Sequence, residues 1–144
     1  MLETAKRYTG YSSYEYLEPG VDYEQFDLAP EIGRVAPYEG LELSAAQRDR
    51  VERILREEVV ISLHDHPTIF PKDSMRTFDY NRTARQHTGY MGLARSGLTT
   101  VFDNLMDGIA CVTGPAGWKW NDIVYDIGMR LSDIAHQDFV IKMS

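Results

Sequence analysis

Two histidines one residue apart, His64 and His66, flank Asp65 at the end of VVISLHDHP, Val59 to Pro67. Imidazole binds zinc and similar borderline transition metals through a neutral ring nitrogen, and catalytic sites add carboxylates or further histidines and leave one position open for water. Side chains alternate in extended backbone, so His64 and His66 share one side of the chain and Asp65 takes the other. Two imidazoles on one side can chelate a single divalent ion. Such an ion lowers the pKa of its bound water toward ~7, which makes hydroxide available at neutral pH. The triplet reads equally as a polar strand end, because two ligands alone do not hold a metal.

The elements that must position these residues follow from the pattern around them. Val59 to Leu63 is apolar at nearly every position and rich in β-branched residues, which predicts a strand covered on both faces in a parallel sheet. Before it, Ser44 and Gln47 form a capping-box signature, and Val51, Ile54 and Leu55 give one narrow apolar face, so a helix is expected over residues 45–57. After it, Pro67 to Arg85 reads as a long loop. Thr83 to Ser96 is expected to be helical with Tyr90, Leu93 and Ala94 inward, ended by Gly97 in the left-handed cap position. Leu98 to Phe102 is a second predicted strand, and it too runs into polar residues, Asp103 and Asn104. These two, with Asp65, are candidates for touching substrate or for holding the metal ligands in place.

Leu105 to Lys119 is expected to be a loop or short helix. Its run Gly114-Pro115-Ala116-Gly117 is a turn and not a phosphate loop, since no Lys-Ser/Thr follows. Asn121 or Asp122 should cap a helix with Ile123, Ile127, Leu131 and Ile134 on one face, ending near His136. DFVIKM, from Asp138, is a third predicted strand. The fold class is therefore α/β, built of repeated helix and strand units with a functional edge at the strand C-termini. Residues 1–43 differ: Tyr8, Tyr11, Tyr14, Tyr16, Tyr23 and Tyr38 are scattered among Pro19, Pro30 and Pro37 with no sustained period, which predicts an irregular arm lying on another surface. His87 reads as a surface residue. His136, at a helix C-terminus, is accounted for by the helix dipole.

Bulk composition narrows the function classes. A net charge of -7 with pI near 5.0 argues against nucleic acid as a partner, because phosphate binding needs a basic surface. The single cysteine, Cys111, excludes an internal disulfide and suits a reducing cytosol, where it is expected to be a buried small apolar residue. No apolar leader and no run approaching the roughly 18 residues needed to span a bilayer is present, so the expectation is a cytoplasmic chain with no membrane contact.

A buried strand ending in His-x-His resembles the first strand of the amidohydrolase superfamily. More narrowly, Glu57 to Ser144 resembles the N-terminal part of the membrane (renal) dipeptidase family of zinc hydrolases. The resemblance is carried by VVISLHDHP, by GLTTVFDN some thirty residues on, and by a helix followed by DFVIKMS. It implies a (β/α)8 barrel of the TIM type, preceded here by the arm and the helix, with two bridged zinc ions at the C-terminal face. It further implies hydrolysis of a dipeptide or related amide by a metal-bridging hydroxide. The family's first strand supplies histidine-x-aspartate; the matching positions here are His64 and His66, so histidine replaces the aspartate. The family's bridging glutamate, further histidines and substrate-binding arginine are expected beyond Ser144. That makes residues 44–144 the first units of a barrel cut short, inactive alone. A small-molecule or dipeptide substrate is implied, and a homodimer is allowed. Two alternatives stand beside this reading: an amidohydrolase acting on a non-peptide substrate, and a non-catalytic structural or interaction module whose Tyr-rich arm contacts a second subunit.

Overall fold

The computed structural model describes residues 7–33, 42–104 and 120–143. Helix α1, Ala45–Glu57, begins where the capping box places it: Gln47 N–H donates to Ser44 Oγ at 3.4 Å, and Gln47 Oε1 accepts from Ser44 N–H at 2.9 Å. Strand β1, Ile61–Asp65, pairs in parallel with β2, Thr100–Asp103, with Ile61 opposite Thr100, Ser62 opposite Val101 and Asp65 opposite Asp103. An irregularity between Ser62 and Asp65 breaks the register just before the histidines. Among the described residues the chain is thus mixed helix and strand with a two-stranded parallel sheet, in keeping with the α/β class.

The strand begins two residues later than Val59, so it extends into His64 and Asp65 rather than stopping ahead of them. Between the strands, the segment from Pro67 to Arg85 is not all loop. Asp73 accepts the Met75 N–H at 3.0 Å and caps a single 3-10 turn, Ser74–Arg76, which runs directly into helix α2, Thr77–Thr83. The helix expected from Thr83 is shorter: residues 84–89 are not helical, and α3 spans Tyr90–Ser96. The chain stays open there because the Tyr80 hydroxyl accepts the His87 N–H at 2.7 Å, a bond that a continuing helix would have taken internally. Gly97 closes α3 at φ 73°, the left-handed conformation its missing Cβ allows.

Helix α4, Trp120–Ala135, starts ahead of Asn121 and Asp122, so neither is its cap. Its expected apolar face is not the buried one: Ile123 and Ile134 are only half-buried. Asp126, Met129, Arg130 and Asp133 are the buried residues, whereas Val124, Ile127 and Leu131 are exposed. Beyond α4 the segment DFVIKM forms no strand among the described residues. Gln137 explains this: its Oε1 accepts the N–H groups of both Phe139 and Val140 at 2.8 Å, and its Nε2 donates to the carbonyls of Ile134 and Val140. A side chain that occupies those backbone groups leaves none of them for a ladder.

The core lies away from the sheet. Tyr11, Tyr14, Tyr80 and Tyr90 are buried, and the first two come from the irregular segment 7–33. The sheet expected to be covered on both faces is open among the described residues: Ile61 is 48% and Leu63 79% exposed. Helix α1 likewise buries none of its residues, touching the rest through Leu55 against Gly97. No helix of the described residues is long and apolar enough to cross a membrane.

Candidate functional site

The C-terminal ends of the two strands bring the sequence-predicted residues together. Alternation along β1 puts the imidazoles of His64 and His66 side by side, with their Nε2 atoms 3.1 Å apart and the rings edge to face at 75°. Both residues are exposed. A tetrahedral ion held by two imidazoles at ~2.0–2.1 Å separates its nitrogens by roughly 3.3 Å, so the pair is spaced as the edge of such a shell. Asn104, one residue past β2, completes the cluster: its Nδ2 lies 3.0 Å from His64 Nδ1 and 2.9 Å from His64 Nε2, and its backbone N–H donates to the Asp65 carbonyl at 3.0 Å. An amide nitrogen straddling a ring bonds one nitrogen at a time.

Asp65 and Asp103, register partners, take the other side. Asp65 Oδ1 accepts the His66 N–H at 2.9 Å, which fixes the peptide between the two histidines. Asp65 also lines a cavity of about 240 Å³ that Glu31, Thr68, Ile69, Phe70 and Leu93 share. Asp103 Oδ1 is buried without a hydrogen-bond partner among the described residues, and burial raises the pKa of this carboxyl, an effect opposed by Arg130 and His66. Among the described residues no group of three or more His, Cys, Asp or Glu is arranged to hold a metal.

The residues that hold this corner together were not singled out by spacing. Arg130, 2% exposed, donates through Nη1 to Thr88 Oγ1 at 2.9 Å and through Nη2 to Thr68 Oγ1 at 2.6 Å and Gln86 Oε1 at 3.1 Å. One turn on, Asp133 accepts from Tyr11 Oη at 2.7 Å, Ser13 Oγ at 2.6 Å, Tyr90 Oη at 2.9 Å and the Tyr14 N–H at 2.8 Å. Burial, with the neighbouring carboxylate, raises the pKa of Tyr11 and Tyr90. Glu31 does for α3 what Gly89 at its N-cap cannot, accepting the N–H groups of Met91 and Gly92 at 2.8 and 3.3 Å. The one signal for these contacts in the sequence is the density of hydroxyl-bearing tyrosines in the arm, which need an acceptor once buried.

The remaining histidines lie apart. His87 is not a surface residue: its ring meets Tyr14 and Tyr23 edge-on at 5.4 and 5.5 Å, its Nδ1 lies 3.0 Å from the Arg85 carbonyl, and burial lowers its pKa. His136 follows α4, as the sequence suggests, with Nδ1 2.7 Å from the Ser132 carbonyl and its ring stacked on Tyr16 at 3.5 Å. Cys111 and the Gly114 to Gly117 turn lie outside the described residues. Compared with protein-family models, with curated proteins and with solved structures, the chain matches none.

Proposed function

We propose that this chain carries the first-strand portion of a zinc-dependent hydrolase of the dipeptidase type, acting on a dipeptide or related amide. The observation that supports this reading is the 3.1 Å approach of His64 Nε2 and His66 Nε2 at the C-terminal end of a parallel strand. Two imidazoles facing each other at that distance, both exposed, form a chelating edge directed at solvent. His64 and His66 would hold the ion. When bound, the ion supplies a hydroxide at neutral pH. The Asn104 amide lies against the His64 ring, 2.9–3.0 Å from both of its nitrogens, and would limit how that ring turns. Asp65 fixes the backbone of His66 through its N–H. Asp103, on the side of Asp65, is a carboxyl within electrostatic reach of Arg130 and His66.

Metal analysis tests the reading. The full-length protein of which this chain would be the first portion is expected to retain about two zinc ions on dialysis, and His64→Ala or His66→Ala to release them. Zinc content unaffected by either substitution overturns the proposal. A second reading, a non-catalytic interaction module, is favoured by one observation: the apolar residues Val59, Leu63, Phe102 and Val124 are all half exposed or more. It expects no zinc and an association that buries these side chains.

A further inference from the structure

We infer that the cavity between the arm and the end of β1 binds a small aliphatic amine, its ammonium group held by the carboxylates of Glu31 and Asp65 and its apolar body by Ile69, Phe70 and Leu93. At about 240 Å³ the cavity lies below the roughly 300 Å³ at which pockets for drug-sized molecules begin, so its occupant is small. The walls come from three places in the chain, and backbone hydrogen bonds lock them together. Ala29 N–H donates to the Phe70 carbonyl at 2.8 Å and Lys72 N–H to the Asp27 carbonyl at 2.9 Å, which fastens the arm to the segment after β1. That segment is tied in turn to the residues leading into α3, by Ile69 N–H on the His87 carbonyl and Gly89 N–H on the Pro67 carbonyl, both at 2.8 Å. A space bounded in this way is preformed, which cuts the ordering cost of binding.

Charge decides the chemistry of the occupant. Among the described residues, Glu31 and Asp65 are the only charged ones that line the cavity, and both are acidic. Each has one oxygen engaged and one open. Glu31 Oε2 accepts the N–H groups of Met91 and Gly92 at 2.8 and 3.3 Å, and Asp65 Oδ1 accepts the His66 N–H at 2.9 Å, whereas Glu31 Oε1 and Asp65 Oδ2 take no hydrogen bond from the described residues. Nearby basic side chains are engaged elsewhere: Lys72 pairs with Asp27, and Arg76 with Glu24 and Asp79. Arg130 bonds the Thr68 hydroxyl but does not border the space. A cleft of one charge sign with apolar walls concentrates its field, so it draws a cation and repels a carboxylate. A primary ammonium puts three donors on a compact charge, and its carbon chain buries against apolar walls that a hydrated metal ion leaves unused.

The test is titration of the full chain with n-butylammonium, followed by backbone amide NMR shifts, with 1-butanol and butyrate at matched ionic strength as controls of the same size. Saturable shifts at Gly89, Gly92 and Ser96 are expected with the amine, binding about tenfold weaker with the alcohol, and none with butyrate. Glu31→Gln and Asp65→Asn remove the charge and keep an oxygen for the N–H groups these side chains hold. Each is expected to weaken amine binding about tenfold, the size of one hydrogen bond to a charged group. Gly89→Ala tests the space apart from the charge. Gly89 has φ -79°, and a Cβ there lies 3.7 Å from Glu31 Oε2, Ile69 Cγ1 and the Pro67 carbonyl oxygen, an ordinary contact that takes up room without a clash. It is expected to weaken the amine severalfold with the amide spectrum otherwise retained. Should a variant fail to fold, the parent's preference among the three probes still decides. Equal binding of amine and alcohol, or an affinity that neither charge-removing variant changes, overturns the inference; calcium giving saturable shifts where the amine gives none overturns it in favour of a metal ion. Zinc binding by His64 and His66 enters none of these readouts, so this inference and the metal reading stand or fall separately.

Discussion

Asp133 Oδ1 accepts the backbone N–H of Tyr14 at 2.8 Å, joining residues 119 apart in the chain. Tyr14 is the one non-glycine residue with positive φ among those described, at 60°, a conformation that costs an L-residue roughly 1–2 kcal/mol. The bond to a buried carboxylate offsets that cost and pins the irregular segment to α4. The same carboxylate takes the hydroxyls of Tyr11, Ser13 and Tyr90, so four donors from two regions converge on one side chain.

Removing that acceptor should therefore be among the most damaging single changes. Asp133→Ala removes the carboxylate that four buried donors share, and hydrogen bonds to charged groups contribute about 1.5–3 kcal/mol each without adding fully. A loss on the order of 4 kcal/mol is expected, with Asp133→Asn losing about half as much. Urea unfolding monitored by tyrosine fluorescence reads this directly. A shift below about 1 kcal/mol for Asp133→Ala would show that the arm is not anchored there.

Gly97 allows two contributions to be separated. Its φ of 73° disfavours any side chain, and a Cβ there would meet Leu55 Cδ2 at 2.9 Å. Gly20, at φ 80°, has nothing within 4 Å of the same position. Gly20→Ala should cost about 1 kcal/mol from backbone conformation alone. Gly97→Ala should cost more, by about 1–2 kcal/mol, as α1 is pushed off. Equal losses in the two variants would mean that α1 moves freely.

What could be read beforehand was what is local. The box formed by Ser44 and Gln47 places α1, Gly97 ends α3, and alternation along β1 puts His64 beside His66 and apart from Asp65. What could not be read depends on partners distant in sequence. The stripe Asp126, Arg130, Asp133 has the look of a solvated helix face, and only the tyrosines and threonines brought to it make it a buried one. DFVIKM has strand composition, yet the amide of Gln137 takes its backbone groups first. His87 carries no marker of burial in its neighbours, because its cage is assembled from Tyr14, Tyr23 and Tyr80.

Acid should destabilise the protein through His87. Burial lowers its folded pKa below the ordinary value of 6.5. The unfolded chain then binds more protons than the folded one between the two values, so stability rises with pH across that window and falls as pH drops below 6.5. Asp103 acts with the opposite sign, since its raised pKa adds stability as pH falls through its folded value, a gain complete by 3.8. Thermal midpoints between pH 7.5 and 5.5 should fall in the parent and fall less in His87→Gln, which has no titrating ring. Parallel curves would assign the acid response to other groups.

Asn104 offers the sharpest separation of site from scaffold. It is exposed, and its amide touches the His64 ring from the end of the neighbouring strand, 40 residues away. Truncation at an exposed position away from the core usually changes stability by less than about 0.5 kcal/mol. If the amide orients His64 for a metal, Asn104→Ala should weaken zinc binding about tenfold with unfolding unchanged. Asn104→Asp should restore or exceed the parent affinity, because it keeps the side chain against the ring and adds negative charge beside the ion. Chelator competition on the three proteins measures this. Zinc bound equally by all three would place Asn104 outside the site and leave the two imidazoles as its only fixed members on this pair of strands.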